Sequence, residues 1–148
     1  MSFFNSLNTS TTALNAQRLR MDIISQNLAN IDTTRTAEGG PYKRKTVIFK
    51  EIDSKSSFSK FFNNAIGKNE EFATGVKVDK IVQDNSKGAV EYDPNHPDAD
   101  ENGYVTKPNV NVVEEMVNMI SANRAYEANI TAVNTTKSMI AKTLEISK

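Results

Sequence analysis

Asp98-x-Asp100-x-Asn102-Gly103 sets oxygen-bearing side chains at alternate positions ahead of a glycine, the first half of an EF-hand calcium loop. Alternate oxygens can surround a cation, the glycine permits the sharp turn, and Val105 suits the apolar position two residues on. The register then fails. Asn109 stands where the bidentate Glu is required, Pro108 precedes it, and Pro94 and Pro97 bar a helix from leading in. The segment reads as a solvated acidic turn that ends a strand, and no metal is assigned. His96, between Asn95 and Pro97, is the one histidine, and a base needs a nucleophile or pocket beside it. It reads as an exposed loop residue. Glu70-Glu71 and Glu114-Glu115 are adjacent pairs, which splay apart and do not converge as acid and base. Lys43-Arg44-Lys45 reads as a solvated strand edge. No nucleophile elbow, P-loop or dinucleotide fingerprint occurs. The expectation is a chain that is not an enzyme, with no catalytic, cofactor-binding or metal residues.

Bulk composition narrows the class further. The chain has 148 residues, and apolar residues make up 38% of them, below the usual share for a globular domain. A thin core follows, with some apolar surface held for partners. Lys and Arg number 18 and so do Asp and Glu, and no basic block is long enough for a phosphate footprint. Nucleic-acid binding is not expected. Cysteine is absent, which excludes disulfides, zinc ribbons and thiol nucleophiles. No apolar run approaches the ~20 residues that span a bilayer. Met1-Ser-Phe-Phe-Asn5 lacks the basic and apolar regions of a cleavable signal. A cytoplasmic chain would look this way, and so would one exported with its N-terminus intact.

The elements that must position these residues are two long helices around an irregular middle. Phe3, Leu7, Ser10, Leu14, Gln17, Met21, Ile24, Leu28 and Ile31 step by four and three, the spacing of a coiled-coil seam. Ser2, Asn5 or Ser6 could cap the start. Gly39-Gly40-Pro41 bars continuation. Near the other end, Val112, Met116, Met119, Asn123, Tyr126, Ile130, Val133, Lys137, Ile140 and Leu144 step likewise, with Asn123 and Lys137 interrupting the stripe. Pro108 stops what precedes, Asn111 caps, and Glu114 stands three on, as in a capping box. Val113, Val117 and Ile120 add a second apolar edge, so this end should be buried on two sides.

Between them, Tyr42 to Phe49, a segment after Gly75 holding Val76, Val78, Ile81 and Val82, and Ala89 to Tyr92 read as short strands. Asp93 to Gly103 is turn chemistry. A polar stretch at about 51–74, with Phe58, Phe61, Phe62 and Ile66, suits either one or two helical turns or a loop. The expected fold is mainly α with a small β-containing middle, its terminal helices pairing as a coiled-coil-like hairpin. The expected organisation is 1–35, a helix; 36–109, an irregular β/loop middle; and 110–148, a helix. Two lone helices bury one seam, at ~1.5–3 kcal/mol per fully buried large side chain, against the ordering cost of both. An ordinary bundle would need a third long helix that the middle does not offer. Neighbouring copies could bury the rest.

Four segments carry a family resemblance: Ser25-Gln-Asn-Leu-Ala-Asn-Ile-Asp32 with Thr33-Thr34; Gly40 to Phe49; Tyr92-Asp-Pro through Asp98 to Val105; and Pro108 to Met116, running on through Ala122 to Asn129 and Asn134 to Met139. In this order they resemble the FlgC family of flagellar basal-body rod proteins. The motif Asn27-Leu28-Ala29-Asn30 is similar to a signature of flagellar axial proteins generally, while the third and fourth segments are specific to FlgC. The 51–74 stretch is longer than the family usually has.

The resemblance implies a structural rod subunit, exported unfolded by the flagellar type III apparatus with its N-terminus uncleaved. It implies polymerisation into the torque-transmitting proximal rod, the terminal helices forming its inner tube. The implied partners are other flagellar rod proteins, copies of the chain, and rod cap and membrane-ring-associated proteins, with no nucleic acid and no direct membrane insertion. The expected assembly seams are Leu7, Leu14, Met21, Ile24 and Leu28 on the first helix, and Val112, Met116, Met119, Tyr126, Ile130, Val133, Ile140 and Leu144 on the second. The alternative is a secreted coiled-coil effector or an export adaptor, which would stay compact without co-assembly.

Overall fold

The computed structural model describes residues 3–52, 62, 65, 66 and 75–146. Two long helices pack on each other, and two small antiparallel sheets lie between them in sequence. Helix α1 spans Phe3–Ala29 and α2 spans Val112–Ile146. Strands β1 (Lys45–Glu51) and β2 (Val76–Gln83) form one sheet, and β3 (Val90–Tyr92) and β4 (Tyr104–Thr106) the other. The mainly helical fold with a small β middle agrees with the expectation from periodicity. No helix among the described residues is long and apolar enough to cross a membrane.

Helix α1 contains no Pro or Gly, and it ends where Asn30 N–H bonds Gln26 O and Thr33 N–H bonds Asn30 O. Its start at Phe3 places Asn5 and Ser6 inside the helix, not at its cap, and Ser2 lies outside the described residues. Asn111 caps α2 as expected, its Oδ1 accepting from Val113 N–H at 2.9 Å and Glu114 N–H at 3.3 Å. The reciprocal half of the box does not form, because the Glu114 carboxylate turns to Arg44.

The helices are antiparallel. Asn27 of α1 touches Glu115 of α2, and Arg20 touches Asn118. At 27 and 35 residues, they leave the C-terminal end of α2 about two turns beyond α1. The inward face of α2 runs through Glu115, Met119, Ala122, Tyr126, Asn129, Val133, Thr136 and Ile140, all buried or half-buried and stepping by four and three. This is not the stripe expected from apolarity. It shares Met119, Tyr126, Val133 and Ile140 with that stripe but replaces the other members with Glu115, Ala122, Asn129 and Thr136. Short side chains at alternate seam positions let the helix backbones approach closely. Asn123 and Lys137 face out, where their polarity costs nothing.

The burial of Val113, Val117 and Ile120 on a second side does not occur within the chain, where they stand 70%, 62% and 53% exposed. The sheet of β1 and β2 packs on α1, leaving this end of α2 uncovered.

The strand expected from Tyr42 begins three residues later, at Lys45. Tyr42 instead bonds Thr33 O through its N–H, and its side chain is buried. In β1, half-buried Lys45, Val47 and Phe49 alternate with exposed Thr46, Ile48 and Lys50, the period of a one-sided sheet. Lys45 pairs with Gln83 and Glu51 with Val76, with an irregularity at Ile48/Phe49. Strand β4 was not expected; it pairs Tyr104 with Tyr92 and Thr106 with Val90, closing the acidic turn into a hairpin. The reading of 51–74 as helical turns or loop, with Phe58 and Phe61, lies mostly outside the described residues. Among the described residues the buried apolar core is small: Ala16, Ile23, Ile24, Tyr42, Val105 and Ala122.

Gly75 sets where β2 meets α1. Its φ is +110°, and a Cβ there would stand 2.2 Å from Thr12 Oγ1, the atom that accepts Val76 N–H at 3.2 Å. Gly75→Ala should therefore cost about 1–3 kcal/mol through backbone strain and the lost contact, read as a lower urea midpoint at constant slope. An unchanged midpoint would refute this docking point.

Candidate functional site

The described structure contains a buried polar junction at one end of the helix pair and an exposed apolar face next to it. The junction centres on Asn27, which is 1% exposed. Its Oδ1 accepts from Tyr42 O–H at 2.9 Å and Lys45 N–H at 3.0 Å. Its Nδ2 donates to Lys45 O and to Glu115 Oε2, both at 2.9 Å. A primary amide has two donors and two acceptor positions, and all four are used. The side chain thus meets both peptide groups of Lys45, as an added strand would, while also holding α2.

Glu115, also 1% exposed, is the second centre. Its Oε1 faces Arg44 Nε at 2.7 Å and Arg44 Nη2 at the same distance. Arg44 Nη2 also reaches Glu114 Oε1 at 2.9 Å. The Arg44 backbone N–H donates to Asn109 Oδ1 at 3.0 Å, and its carbonyl accepts from Asp84 N–H at 2.8 Å. One junction thereby joins α1, the start of β1, the segment after β2 and the first turn of α2.

Two expectations are corrected here. Arg44 does not lie on a solvated edge, and the adjacent Glu114 and Glu115 do converge, on one guanidinium and not on a substrate. A buried carboxylate is tolerable only when paired and hydrogen-bonded, and Glu115 is both.

Desolvation lowers the Arg44 pKa, but the hydrogen bond and charge of Glu115, with Glu114 and Asp84, outweigh it, so the pKa is raised. Burial, and then the Glu115 charge, raises the Tyr42 pKa above its ordinary 10.0. The Asn27 amide and both Glu115 carboxylate oxygens are taken up by partners within the chain. The junction's geometry fixes chain segments.

The 93–103 turn is likewise committed to structure. Asp98 Oδ2 accepts from Thr34 Oγ1 at 2.8 Å, and Asp100 Oδ1 accepts from Asn102 N–H at 2.9 Å and Tyr104 N–H at 2.8 Å. His96 is half-buried, not exposed, with Nδ1 accepting from Asp98 N–H at 3.1 Å. Among the described residues no group of three His, Cys, Asp or Glu is placed to hold a metal.

The residues expected to form seams divide between two faces. Leu7, Leu14, Met21 and Leu28 are half-buried and Ile24 is buried on α1; Met119, Tyr126, Val133 and Ile140 are half-buried on the inward side of α2. Val112, Met116, Ile130 and Leu144 are exposed. With Val113, Val117 and Ile120, the first of these make five large apolar side chains exposed within nine residues, Val112 to Ile120. In the motif, Asn27 is buried, Leu28 and Asn30 half-buried and Ala29 exposed. Tyr42, Arg44 and Glu115 went unrecognised as site residues. The available signal was the second stripe through Glu115, Ala122, Asn129 and Thr136, at seven-residue intervals.

The C-terminal segment, residues 101–146, matches the model of the flagellar basal body rod FlgEFG protein C-terminal family, and residues 7–35 match that of the flagella basal body rod protein family. The chain is similar to the flagellar basal-body rod protein FlgC of Bacillus subtilis, 50% identical with all of both chains covered. It is 46% identical to FlgC of Borreliella burgdorferi and 40% identical to FlgC of Salmonella typhimurium, with 99% of this chain and 98% of each relative covered.

Two tests follow from the junction. Asn27→Ala should cost about 1–3 kcal/mol for each buried group it leaves unpaired, and Asn27→Asp should cost more than that by setting a second carboxylate against Glu115. Denaturant titration checks both, and an Asp variant as stable as wild type would contradict the geometry. Because the folded Tyr42 pKa is raised, the neutral phenol favours the fold. Its contribution is complete below about pH 10 and is lost as pH rises through the folded value. Tyr42→Phe should therefore flatten the fall in thermal stability above pH 10, and an unchanged slope would exclude Tyr42 as its source.

Proposed function

The chain belongs to the FlgC family of flagellar basal-body rod proteins, and from that premise we propose that it is a structural subunit of the basal-body rod that works by polymerising and not by catalysis. The observation that carries the reading is the exposed apolar run from Val112 to Ile120. Large contiguous apolar patches on a soluble chain mark interaction sites. A helical assembly needs heterologous contacts, in which one face meets a different face of the next copy. Helix α2 has the required asymmetry, with one face spent on α1 and the other left apolar and open.

The terminal segments 1–35 and 110–148 are the assembling parts in this reading, and 36–109 supplies outer contacts. Leu7, Leu14, Met21, Ile24 and Leu28 hold the subunit together and set the shape it presents. Val112, Met116, Ile130 and Leu144 meet neighbours. Those neighbours are copies of the chain, other rod proteins, and rod cap and membrane-ring-associated proteins. Export through the flagellar type III apparatus precedes assembly, and a cysteine-free chain has no thiols to mispair outside the cytoplasm.

Val117→Asp, 62% exposed, should cost little beyond the helix propensity of Asp, up to ~0.7 kcal/mol, while Ile130→Asp, 38% exposed, should cost somewhat more. Both should still be exported, yet fail to enter basal bodies and abolish swarming. Leu14→Asp, at a half-buried site, should lose stability as well. Normal motility in the two exposed-site variants would overturn the assignment of this face.

A further inference from the structure

We propose that the acidic 93–103 turn of one copy seats in a lysine-lined cleft at the base of the same hairpin on the next copy. The cleft has a volume of about 460 Å³ and is lined by, among others, Pro41, Tyr42, Lys43, Asn85, Lys87 and Lys107. Lys107 is neutralised by Glu91. Lys43 Nζ donates to the neutral Asn85 Oδ1 at 3.0 Å, and Lys87 is exposed. Neither makes an ion pair among the described residues. Lys43 and Lys87 therefore bring two positive charges to a concave surface, against the one carboxylate of Asp84 nearby. Asp84, next to Asn85 in sequence, accepts from Ser86 N–H and O–H and keeps its negative charge.

The turn offers the opposite sign. Asp100 and Glu101 are exposed and make no ion pair among the described residues, whereas the Asp93 charge acts on Lys107 of its own copy. Asp93 and Asp100 accept only backbone N–H groups, and Glu101 stands at the tip. The turn is also held in shape. Gly103 has φ +81°, and a Cβ there would lie 2.9 Å from the Tyr92 ring and 3.2 Å from Pro94. Tyr92 and Tyr104 meet edge to face at 5.2 Å, and Asp98 is tied to Thr34. A pre-formed turn loses little conformational freedom on docking.

Turn and cleft sit at opposite ends of one hairpin whose strands are three residues long, about 10 Å apart. The tip leads away from its own cleft, so the complementary surface it meets belongs to another copy. The contact joins unlike surfaces and propagates head to tail. It rests on the reading of the chain as a polymerising subunit, and it adds an electrostatic contact through the middle segment to the helix contacts.

Charge reversal tests it in the complete chain, because Lys87 and Glu101 are both exposed. Lys87→Glu and Glu101→Lys should each reduce incorporation into purified basal bodies by about tenfold or more, since like charges then face each other. Both reversals in one chain should restore incorporation. Normal incorporation of either single variant, or a double variant as poor as the singles, would overturn the contact. Because the chain has no cysteine, Lys87→Cys and Glu101→Cys carried by separate co-expressed copies supply a second readout. Oxidation should give a disulfide-linked dimer only when both are present, and incorporated variants that give none would overturn it. Wild-type chain present in basal bodies with these negative results would leave the rod reading standing. Wild-type chain missing from basal bodies would defeat that reading itself.

Discussion

The four hydrogen bonds of the Asn27 amide are the constraint on which the rest of the structure depends. Without them α1 would be held to β1 and α2 by a thin apolar core, the helix seam and the Arg20–Asn118 hydrogen bond, and Arg44 alone would tie the start of β1 to Glu114 and Glu115 of α2. Asn27 occupies both peptide groups of Lys45 and so sets where β1 starts. It also holds Glu115, which holds Arg44, and thereby sets the register of α2. A polar residue in such a place gives up stability relative to a well-packed apolar one but admits few alternative alignments. For a subunit whose outer face must match a neighbour, a single alignment matters more than a deep core.

The helix pair shows the same division of labour. Its inward side on α2 alternates the large Met119, Tyr126, Val133 and Ile140 with the smaller Ala122, Asn129 and Thr136. Val113, Met116, Val117 and Ile120 are left outside. An isolated globular chain would gain by the reverse arrangement. The observed one makes sense when burial is completed by association, which stabilises a folded state that the chain alone holds less firmly.

Much of this was legible in the order of residues, and the part that was not has a physical reason. Both helices, the Asn111 cap and the strands near Val76 and Val90 depend on local periodicity and punctuation, which a single sequence displays. The junction does not. Asn27 and Glu115 lie 88 positions apart, and glutamate is so seldom buried that nothing nearby marks Glu115 as interior. The choice of face on α2 was hidden by two overlapping stripes that share Met119, Tyr126, Val133 and Ile140. Apolarity selects the stripe with larger members, whereas close helix packing selects the one with smaller members. Strand β4 buries only Val105 and lies between the turn residues ending at Gly103 and Pro108, whose punctuation masks it.

In the proposed rod, a neighbour covers the outward face at the start of α2. An electron cryo-microscopy map of the basal body tests it most directly. The expected map has a neighbouring helix packed against Val113, Met116, Val117 and Ile120, with the Asn27–Glu115–Arg44 junction intact inside each copy. A map in which that face borders solvent, or in which α1 and α2 have separated and Glu115 pairs with another subunit, would contradict it.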